Sequence, residues 1–351
     1  MKISHQKLTD AVSRIFAAGG CDPATSTCIA ENLVDSNLCG HDSHGVIRVA
    51  QYMSYVRKQT VNLSGQIEIV YETPSVAVVD GQLGFGQVIG RQAMDLLADK
   101  ATETGLAMVS IRNSSHIGRI GAWVEQLAKR DLISLHFMNT TGLGMLAMPF
   151  GGTDRRLSLC VVAAGVPLPG RDPVLLDFAT TMTAEGKLRV ARNKEVPVPE
   201  GHIVDRDGNP STDANDFYDG GAILPMAAHK GHGLTMIADL LAGALSGGGC
   251  THPDETLMVN TMTSIAINPG PMTDRDHYAA EVIRYCDWVT GSPAKNPDQP
   301  VQLPGQMEFN NRRQRKNEGV EVDDMTWKQI CKTAESVGVT TDELNALVAN
   351  D

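Results

Sequence analysis

The densest group of chemically able side chains lies near the N-terminus, in Gly-His-Asp-Ser-His-Gly-Val-Ile-Arg at residues 40–48. His44, Arg48 and Tyr52 are four residues apart, so a helix that begins near Ser43 places them on one face. An imidazole can move a proton, and a guanidinium can hold a carboxylate through two hydrogen bonds. Oxidation of a 2-hydroxy acid needs that pair, because a base removes the hydroxyl proton while a cation fixes the carboxylate. The alternative is a capped helix start with Arg48 in a surface ion pair.

Two further glycine-containing turns carry histidine. His116 and Arg119 lie in Asn-Ser-Ser-His-Ile-Gly-Arg-Ile-Gly at 113–121, between a strand-like run and a helix, where α/β proteins expose catalytic groups and bind anions. There His116 would act as a general acid or base and Arg119 as a phosphate partner; the alternative is a histidine that satisfies the backbone of the turn. His229 and Lys230 precede an apolar helix, and Lys230 offers a cation to a phosphate or a ribose.

Two His-x-x-His spacings, at 41/44 and 229/232, raise the alternative of a metal-dependent hydrolase with Asp42 as a further ligand. Lys230 argues against it, because a cation inside the second pair repels a divalent metal. No His-Glu-x-x-His motif is present, so the sequence favours a site without metal. Asp177 ends a strand-like run, where it would orient an imidazole or cap the following helix.

Helical patterning fills both ends of the chain. Ser4 and Pro23 are typical helix starts, and the helices they open are expected to stop at Gly19 and near Cys39. A third helix is predicted from Ser43 through Tyr55, and alternation over 66–80 indicates β structure. The predicted strands are Leu106–Ile111, Leu132–Met138, Leu157–Ala163, Val174–Leu176 and Ser264–Ile267, and the predicted helices are Gln87–Thr104, Gly118–Arg130, Thr183–Arg192 and Leu234–Leu245. Residues 291–305 carry four prolines and are the best linker candidate.

Composition narrows the class of protein. The chain has 351 residues, 42% of them hydrophobic and 20% charged, as in ordinary globular proteins. A net charge of −11 repels phosphate backbones and anionic lipid, so neither a nucleic-acid nor a membrane partner is expected. The N-terminus lacks the apolar core of a signal peptide, and seven cysteines without a Cys-x-x-Cys spacing suggest no disulfide framework. These features predict a reduced, cytoplasmic protein.

Two glycine motifs resemble dinucleotide-binding loops without fitting them. Gly-Leu-Gly-Met-Leu-Ala at 142–147 follows a strand, but Pro149 and the glycines at 151–152 end any helix within one turn. In the motif at 84–90 the third glycine comes one residue late. Both are interpreted as turns or close packing. A nicotinamide cofactor would therefore be bound without the usual Rossmann fold.

Several motifs, in the right order, resemble the type-2 malate/L-lactate dehydrogenases, an NAD(P)-dependent family, over nearly the whole chain. They are Gly-His-Asp-Ser-His-Gly at 40–45 with Arg48, Ser-His-Ile-Gly at 115–118, Leu-Asp-Phe-Ala-Thr at 176–180, His-Lys-Gly at 229–231, Leu-Pro-Gly at 303–305 and the segment 312–327. The resemblance implies an α/β (α+β) fold whose mainly antiparallel, non-Rossmann sheet binds NAD(P). It implies a helical domain of residues 1–70 plus 291–351, a catalytic and cofactor-binding domain of residues 71–290, and a homodimer.

The resemblance also assigns roles. His44 and His116 are the proton-transfer candidates, with Asp177 as the third catalytic residue, and the family differs over which histidine is named the acid/base. Ser43, Arg48 and Tyr52 would contact the substrate, a small carboxylate. NAD or NADP would lie against His44, Gly118, Arg119, Ile120, Leu175, Leu176, Asp177, Phe178, Ala179, His229, Lys230, Asn260, Gly305, Gln306, Met307 and Glu308.

Two departures from the family motifs bear on function. The family has Gly-Thr-Asn-Pro near residue 158, where this chain has Ser-Leu-Cys-Val at 158–161, and it has Lys-Gly-Tyr where this chain has Lys-Gly-His at 230–232. Neither touches His44, Arg48, His116 or Asp177. The expected activity is hydride transfer between NAD(P) and C2 of a small 2-hydroxy or 2-oxo carboxylic acid. The alternatives are a cyclic imino-acid reductase of the same family, the metal-dependent hydrolase, and a cofactor-binding protein without turnover.

Overall fold

The structure, a computed structural model, describes residues 1–349 apart from the side chains of Leu143, Asn193 and Lys194. Its α-helices are α1 His5–Ala18, α2 Pro23–Leu38, α3 Val49–Arg57, α4 Gly86–Thr104, α5 Gly121–Ala128, α6 Glu185–Lys194, α7 Ala214–Tyr218, α8 His229–Asp239, α9 Arg275–Thr290, α10 Gln306–Glu318, α11 Asp324–Glu335 and α12 Thr341–Val348. Its strands are β1 Lys2–Ile3, β2 Glu68–Glu72, β3 Val76–Asp80, β4 Leu106–Ser114, β5 Ile133–Thr140, β6 Met145–Ala147, β7 Leu157–Ser158, β8 Val161–Val166, β9 Val174–Ala179, β10 Ile203–Val204, β11 Pro210–Ser211, β12 Ala222–Ile223, β13 Asn260–Ile267 and β14 Val320–Glu321. Short 3₁₀ turns occupy Asp42–His44, Val46–Arg48 and Gly142–Gly144, and α8 continues as a π-helix over Leu240–Ala244.

The first two helices begin and end where the sequence predicts. The Ser4 hydroxyl accepts a hydrogen bond from the Lys7 N–H, and the Asp22 carboxylate caps α2 ahead of Pro23. Both helices end beside the predicted residues because Gly19 and Cys39 cap them.

The predicted start of the third helix is wrong. Residues 42–48 form two 3₁₀ turns separated by Gly45, whose backbone is extended, and α3 begins only at Val49. The Asn37 side chain accounts for the break, because its oxygen accepts the Val46 N–H at 2.8 Å and its nitrogen donates to Asp42. His44, Arg48 and Tyr52 therefore do not share one helical face.

The main sheet has seven strands in the order β2-β3-β4-β13-β5-β8-β9, and its neighbours are antiparallel except for the parallel pair β3 and β4. It is flanked by helices such as α4 and α5, whose apolar sides supply Met94, Leu97 and Trp123 to the core beneath the sheet. The chain is thus a mixed α/β protein. The sheet brings the C-terminal end of β4 next to the start of β13, which sets up the site described below.

A smaller five-stranded sheet, in the order β11-β10-β12-β6-β7, does not follow from the sequence patterns, because most of its strands have only two residues. The strand predicted over 157–163 is divided between the two sheets. β7 ends at Ser158 and β8 begins at Val161, so the chain crosses between sheets at Leu159 and Cys160. Helix α9 was also not predicted.

Apolar burial forms separate clusters. One joins α1, α2 and α3 to β14, α11 and α12, so both chain ends contribute to it, and a second fills the space between the main sheet and α4 and α5. The domain boundaries at residues 70 and 290 stay a prediction. No helix among residues 1–349 is both long and apolar enough to cross a membrane.

Candidate active site

The 3₁₀ turns at 42–48 present His44 and Arg48. Gly45 is required between them, because a Cβ atom there would lie 2.2 Å from the Asn37 side-chain oxygen. Asn37 holds the turn by its bonds to Val46 and Asp42, as described above. The Ser43 hydroxyl lies 3.0 Å from His44 Nδ1, which leaves Nε2 of that ring without a hydrogen bond to any described residue.

Arg48 is fixed at one edge of its guanidinium. Its Nε donates to the Ser43 carbonyl at 2.6 Å, and its Nη1 donates to the Gln51 side-chain oxygen at 2.6 Å. Gln51 in turn donates to the Tyr55 hydroxyl. Within the described residues Nη2 makes no hydrogen bond, so the N–H groups of this nitrogen remain free for a carboxylate.

His116 lies in the loop that follows β4. Asn260, at the start of β13, accepts the Ile117 N–H at 2.9 Å and donates to the Asn139 carbonyl and the Thr140 hydroxyl. Asn260 is fully buried and supports the His116 loop, and its contact with a cofactor stays a prediction. The loop also packs on the first turn of α4, where a Cβ atom on Gly86 would lie 2.3 Å from the His116 carbonyl oxygen.

The fold brings the two histidines together. Their rings stack with centroids 5.7 Å apart, and the Tyr52 hydroxyl lies 2.6 Å from His116 Nδ1. Burial, with smaller contributions from Arg48 and the neighbouring imidazole, holds the pKa of His116 well below its ordinary 6.5. Burial and then Arg48 lower the pKa of His44 to about 3. Both rings are therefore neutral at physiological pH, beside a permanent cation.

Asp177 belongs to a different part of the site. Its Oδ2 accepts the Gly121 N–H at the start of α5, at 2.6 Å, and no hydrogen bond among the described residues joins it to His44 or His116. Burial raises the pKa of its carboxyl, and the Arg119 cation opposes that shift. The catalytic role of Asp177 stays a prediction. Asp177 is one of the residues around a cavity of about 250 Å³, whose other lining residues are Leu175, Leu176, Gln302, Leu303, Pro304, Gly305, Met307 and Glu308.

That cavity unites two of the predicted cofactor segments, from β9 and from the first turn of α10. Gly305 precedes α10 with φ +86°, and a Cβ atom there would lie 2.7 Å from the Leu175 Cβ. The Leu175 N–H donates to the Pro304 carbonyl, which ties the two segments together. Glu308 Oε1 lies 3.3 Å from His41 Nε2, so the cavity is linked to the turn that carries His44.

The side chain of Arg119 is buried in this structure, and its Nε and Nη1 make no hydrogen bond among the described residues, so its role as the phosphate partner suggested by the sequence stays a prediction. It is 2% exposed, and its Nη2 donates to Asp35 and Glu125. Arg312 donates to the same two carboxylates, so two cations and two anions compensate each other inside the protein. Contact with a cofactor through the backbone of Gly118, Arg119 and Ile120 stays a prediction.

Among residues 1–349 the possible metal-ligand group is Asp35, Cys39 and Glu125, which contains no histidine and is already paired with the two arginines. The two His-x-x-His spacings do not converge on a shared point. His41 faces Glu308 and His44 faces Ser43, whereas His232 Nδ1 accepts the Phe150 N–H.

His229 and Lys230 are exposed at the start of α8. The two residues before them, Ala227 and Ala228, both have positive φ, at 47° and 56°, a conformation that is strained for alanine. The His229 ring lies edge-on to Phe150 with centroids 6.0 Å apart. Cofactor contact by His229 and Lys230, and by Phe178, Ala179 and Gln306, stays a prediction.

The segment that departs from the family motif lies beside the end of β9. The carbonyl of the fully buried Cys160 accepts both the N–H and the hydroxyl of Thr180, and Ser158 contacts the Cys160 sulfur at 3.2 Å. Burial raises the pKa of the Cys160 thiol well above its ordinary value, so the thiol is protonated and unreactive. The segment thus supports the predicted cofactor strand by packing.

Sequence reasoning missed Gln87 and Asn37. Both are buried amides on helices, where a glutamine or asparagine is ordinarily exposed, and only their place in the fold reveals a partner. Gln87 is the first-turn residue of α4, and its side-chain N–H donates to the Tyr52 hydroxyl at 2.9 Å. No spacing rule connects positions 52, 87 and 116.

Comparison with known proteins shows the family of the chain. Residues 3–331 match the malate/L-lactate dehydrogenase family, and the chain belongs to that family of oxidoreductases. It is 38% identical to hydroxycarboxylate dehydrogenase B of Escherichia coli O157:H7, over 98% of this chain and 97% of that protein.

Solved structures show the same fold. Sulfolactate dehydrogenase from Methanocaldococcus jannaschii superposes with a TM-score of 0.87 at 30% identity, covering 98% of this chain and 99% of that one. The Δ1-piperideine-2-carboxylate reductase from Pseudomonas syringae pv. tomato superposes with a TM-score of 0.85 at 26% identity, covering 95% and 99%. The chain is therefore a 2-hydroxy-acid type oxidoreductase with a reductase among its structural neighbours.

Proposed function

We propose that this protein transfers a hydride between a nicotinamide cofactor and C2 of a small 2-hydroxy or 2-oxo carboxylic acid. The observation that carries the proposal is the stacked, neutral pair of His44 and His116 beside Arg48, whose Nη2 makes no hydrogen bond among the described residues. The cation suits the substrate carboxylate, and the imidazoles suit the oxygen at C2. Relatives named for hydroxycarboxylates and sulfolactate support the substrate class.

The cofactor is NAD or NADP, which when bound supplies or accepts the hydride. We propose that it is held without a Rossmann loop, in part by the 250 Å³ cavity between β9 and the start of α10. The cavity fits that use because the Asp177 and Glu308 carboxylates in its lining can accept hydrogen bonds from ribose hydroxyls.

The direct experiment supplies purified protein with NADH or NADPH and a pool of 2-oxo acids, and follows the loss of reduced-nicotinamide absorbance. A parallel pool contains cyclic imines, and a third sample of the first pool contains a chelator. We expect turnover with the oxo acids that survives the chelator. Turnover with the imines alone would replace the proposal by the second candidate, and loss of turnover with the chelator would show that the reaction needs a metal ion. A hydrolase would leave the nicotinamide absorbance unchanged in every sample. If no sample shows turnover but a direct titration shows that NADH binds, the protein would be a cofactor-binding protein without this activity.

The second candidate is a cyclic imino-acid reductase. It is favoured by the similarity to the Δ1-piperideine-2-carboxylate reductase structure. Such a substrate also carries a carboxylate for Arg48, but it presents a C=N nitrogen in place of the C2 oxygen. The two pools of the assay separate the candidates.

We expect NADH to bind at least about tenfold more tightly than NADPH. The described residues that line the cavity include the acids Asp177 and Glu308 and no arginine or lysine, so an additional phosphate would lie beside carboxylates with no cation in the lining to pair with it. Fluorescence titration with each reduced cofactor measures the ratio of Kd values. Glu308→Gln should bring the ratio of the two Kd values closer to one. Glu321→Gln, a change at an exposed position on β14, should leave that ratio unchanged. Tighter binding of NADPH by the wild-type protein would contradict the assignment.

We propose a homodimer, with helical domains built from residues 1–70 and 291–351 around the central domains. Support comes from apolar side chains exposed on α8 and its π-helical extension, namely Met236, Ile237, Leu240 and Leu245. Light scattering should give twice the mass of one chain, and Ile237→Glu with Leu240→Glu should halve it. Val190→Glu, an equally exposed apolar position on α6, is the control. A monomeric wild-type protein at micromolar concentration would contradict the proposal.

We propose that the protein works in the cytoplasm. All seven cysteines are free thiols, and six of them are buried, which suits a reducing compartment.

A further inference from the structure

A chain of three buried polar groups ends on His116. Gln87 Nε2 donates to the Tyr52 hydroxyl at 2.9 Å, and that hydroxyl lies 2.6 Å from His116 Nδ1. Gln87 is fully buried and Tyr52 is 1% exposed, so water does not compete for either group. Hydrogen bonds in such surroundings have a fixed direction, because each proton has few acceptors to choose from.

The direction of these hydrogen bonds follows from Gln87, the first of the three groups. The Gln87 amide nitrogen also lies 3.4 Å from the His116 carbonyl oxygen. The opposite amide orientation would bring two oxygens together there, so the nitrogen is the end that faces Tyr52 and His116, and the buried Oε1 of Gln87 makes no hydrogen bond among the described residues. An amide nitrogen can only donate, and the Tyr52 oxygen therefore accepts from it.

The hydroxyl proton of Tyr52 is then directed to His116. It has no other acceptor among the described residues, and Nδ1 is at the distance of a strong hydrogen bond. A neutral imidazole whose Nδ1 accepts carries its own proton on Nε2. Nε2 makes no hydrogen bond within the described residues and is not among their buried unpartnered atoms, so it is accessible to solvent.

We propose that Gln87 and Tyr52 are positioning residues that hold His116 in the Nε2–H tautomer, so that it presents an N–H, not a lone pair, to the oxygen at C2. This inference rests on the proposed function for the identity of that oxygen. It gives the two histidines different tasks. His116 is the fixed donor that stabilises negative charge developing at the C2 oxygen, and transfer of the proton to or from that oxygen falls to His44. It also changes the expected role of Tyr52 from substrate contact to support of His116.

The tautomer can be measured without any substrate. Long-range ¹H–¹⁵N spectra of protein labelled at histidine distinguish protonated from unprotonated ring nitrogens, and the His116 signals are assigned by their loss in His116→Ala. We expect an unprotonated Nδ1 and a protonated Nε2 at neutral pH. The reverse tautomer, or a mixture, in the wild-type protein would overturn the proposal whether or not the protein reduces an oxo acid.

Variants test whether Gln87, Tyr52 and His116 act as one hydrogen-bonded unit. In the Tyr52→Phe variant His116 should occur as a mixture of both tautomers. Its kcat should fall about 10- to 100-fold, and its KM for the oxo acid should be nearly unchanged. Gln87→Met should have a smaller effect, and the double variant should be no worse than Tyr52→Phe alone, because Gln87 works through the Tyr52 hydroxyl. Gln92→Met on the same helix is the control. Additive losses of kcat, or a Tyr52→Phe protein with the wild-type tautomer, would show a merely structural role.

If no oxo acid is turned over, the proposed function fails while the spectra still decide the tautomer. The two failures are therefore distinguishable.

Discussion

Replacing His116 by alanine is expected to lower kcat about 10²- to 10³-fold, the range found when a preset donor to a developing oxyanion is removed. Nε2 of His116 makes no hydrogen bond among the described residues and is accessible to solvent, while Nδ1 is hydrogen-bonded to Tyr52. KM for the oxo acid should change much less, since Arg48 still holds the carboxylate. Steady-state kinetics with saturating reduced cofactor measure both constants.

The control for this variant is His252→Ala, an exposed histidine outside the site. His44→Ala should also lower kcat, because its ring stacks on His116 and its Nε2 is free. A His116→Ala protein that keeps its kcat within severalfold of the wild-type value would clear His116 of any part in the chemistry. If His44→Ala likewise keeps its kcat, His44 takes no part in the chemistry.

Replacing Arg48 by leucine is expected to raise KM for the acid about 30- to 100-fold, since a hydrogen-bonded charge pair of this kind contributes about 2–3 kcal/mol. Ser43 and Gln51 fix the guanidinium, so little conformational freedom is lost when the carboxylate binds. Binding of NADH, measured separately by titration, should change little.

Arg48→Lys should be compared with the Arg48→Leu variant. It keeps the charge and loses the planar fork, so it should recover part of the affinity for the acid. Arg57→Leu, exposed at the end of α3, should leave KM unchanged. If Arg48→Leu instead abolished cofactor binding and left KM for the acid alone, the role given to Arg48 would be wrong.

The sequence predicts the helices at Ser4 and Pro23 well because their signals are local. A capping side chain and a first-turn proline act on backbone within one turn, and the structure has both helices. The third helix fails for a non-local reason. The Asn37 amide takes the Val46 N–H that a continuous helix would use, so the chain makes 3₁₀ turns before Val49.

The sequence singled out residue types that the structure brings together, but the shared helical face expected for His44, Arg48 and Tyr52 was wrong. His44 and Tyr52 approach His116 although they do not share a helix, because β4 brings His116 to them from elsewhere in the chain. Arg119 shows the opposite outcome. Its motif suggests a phosphate contact, yet its guanidinium is buried between Asp35 and Glu125, which no spacing from 119 could indicate. Gln87 was missed for the same reason.

The measurement that tests the central claim most directly uses NADH, or NADPH, carrying deuterium at the transferable position of its nicotinamide ring. The purified protein is given this cofactor with the active oxo acid from the pool, and the product is examined by mass spectrometry and proton NMR. The account predicts one deuterium on C2 of a 2-hydroxy acid and ordinary hydrogen on its oxygen. A product without deuterium at C2, or with the label elsewhere, would contradict hydride transfer to that carbon.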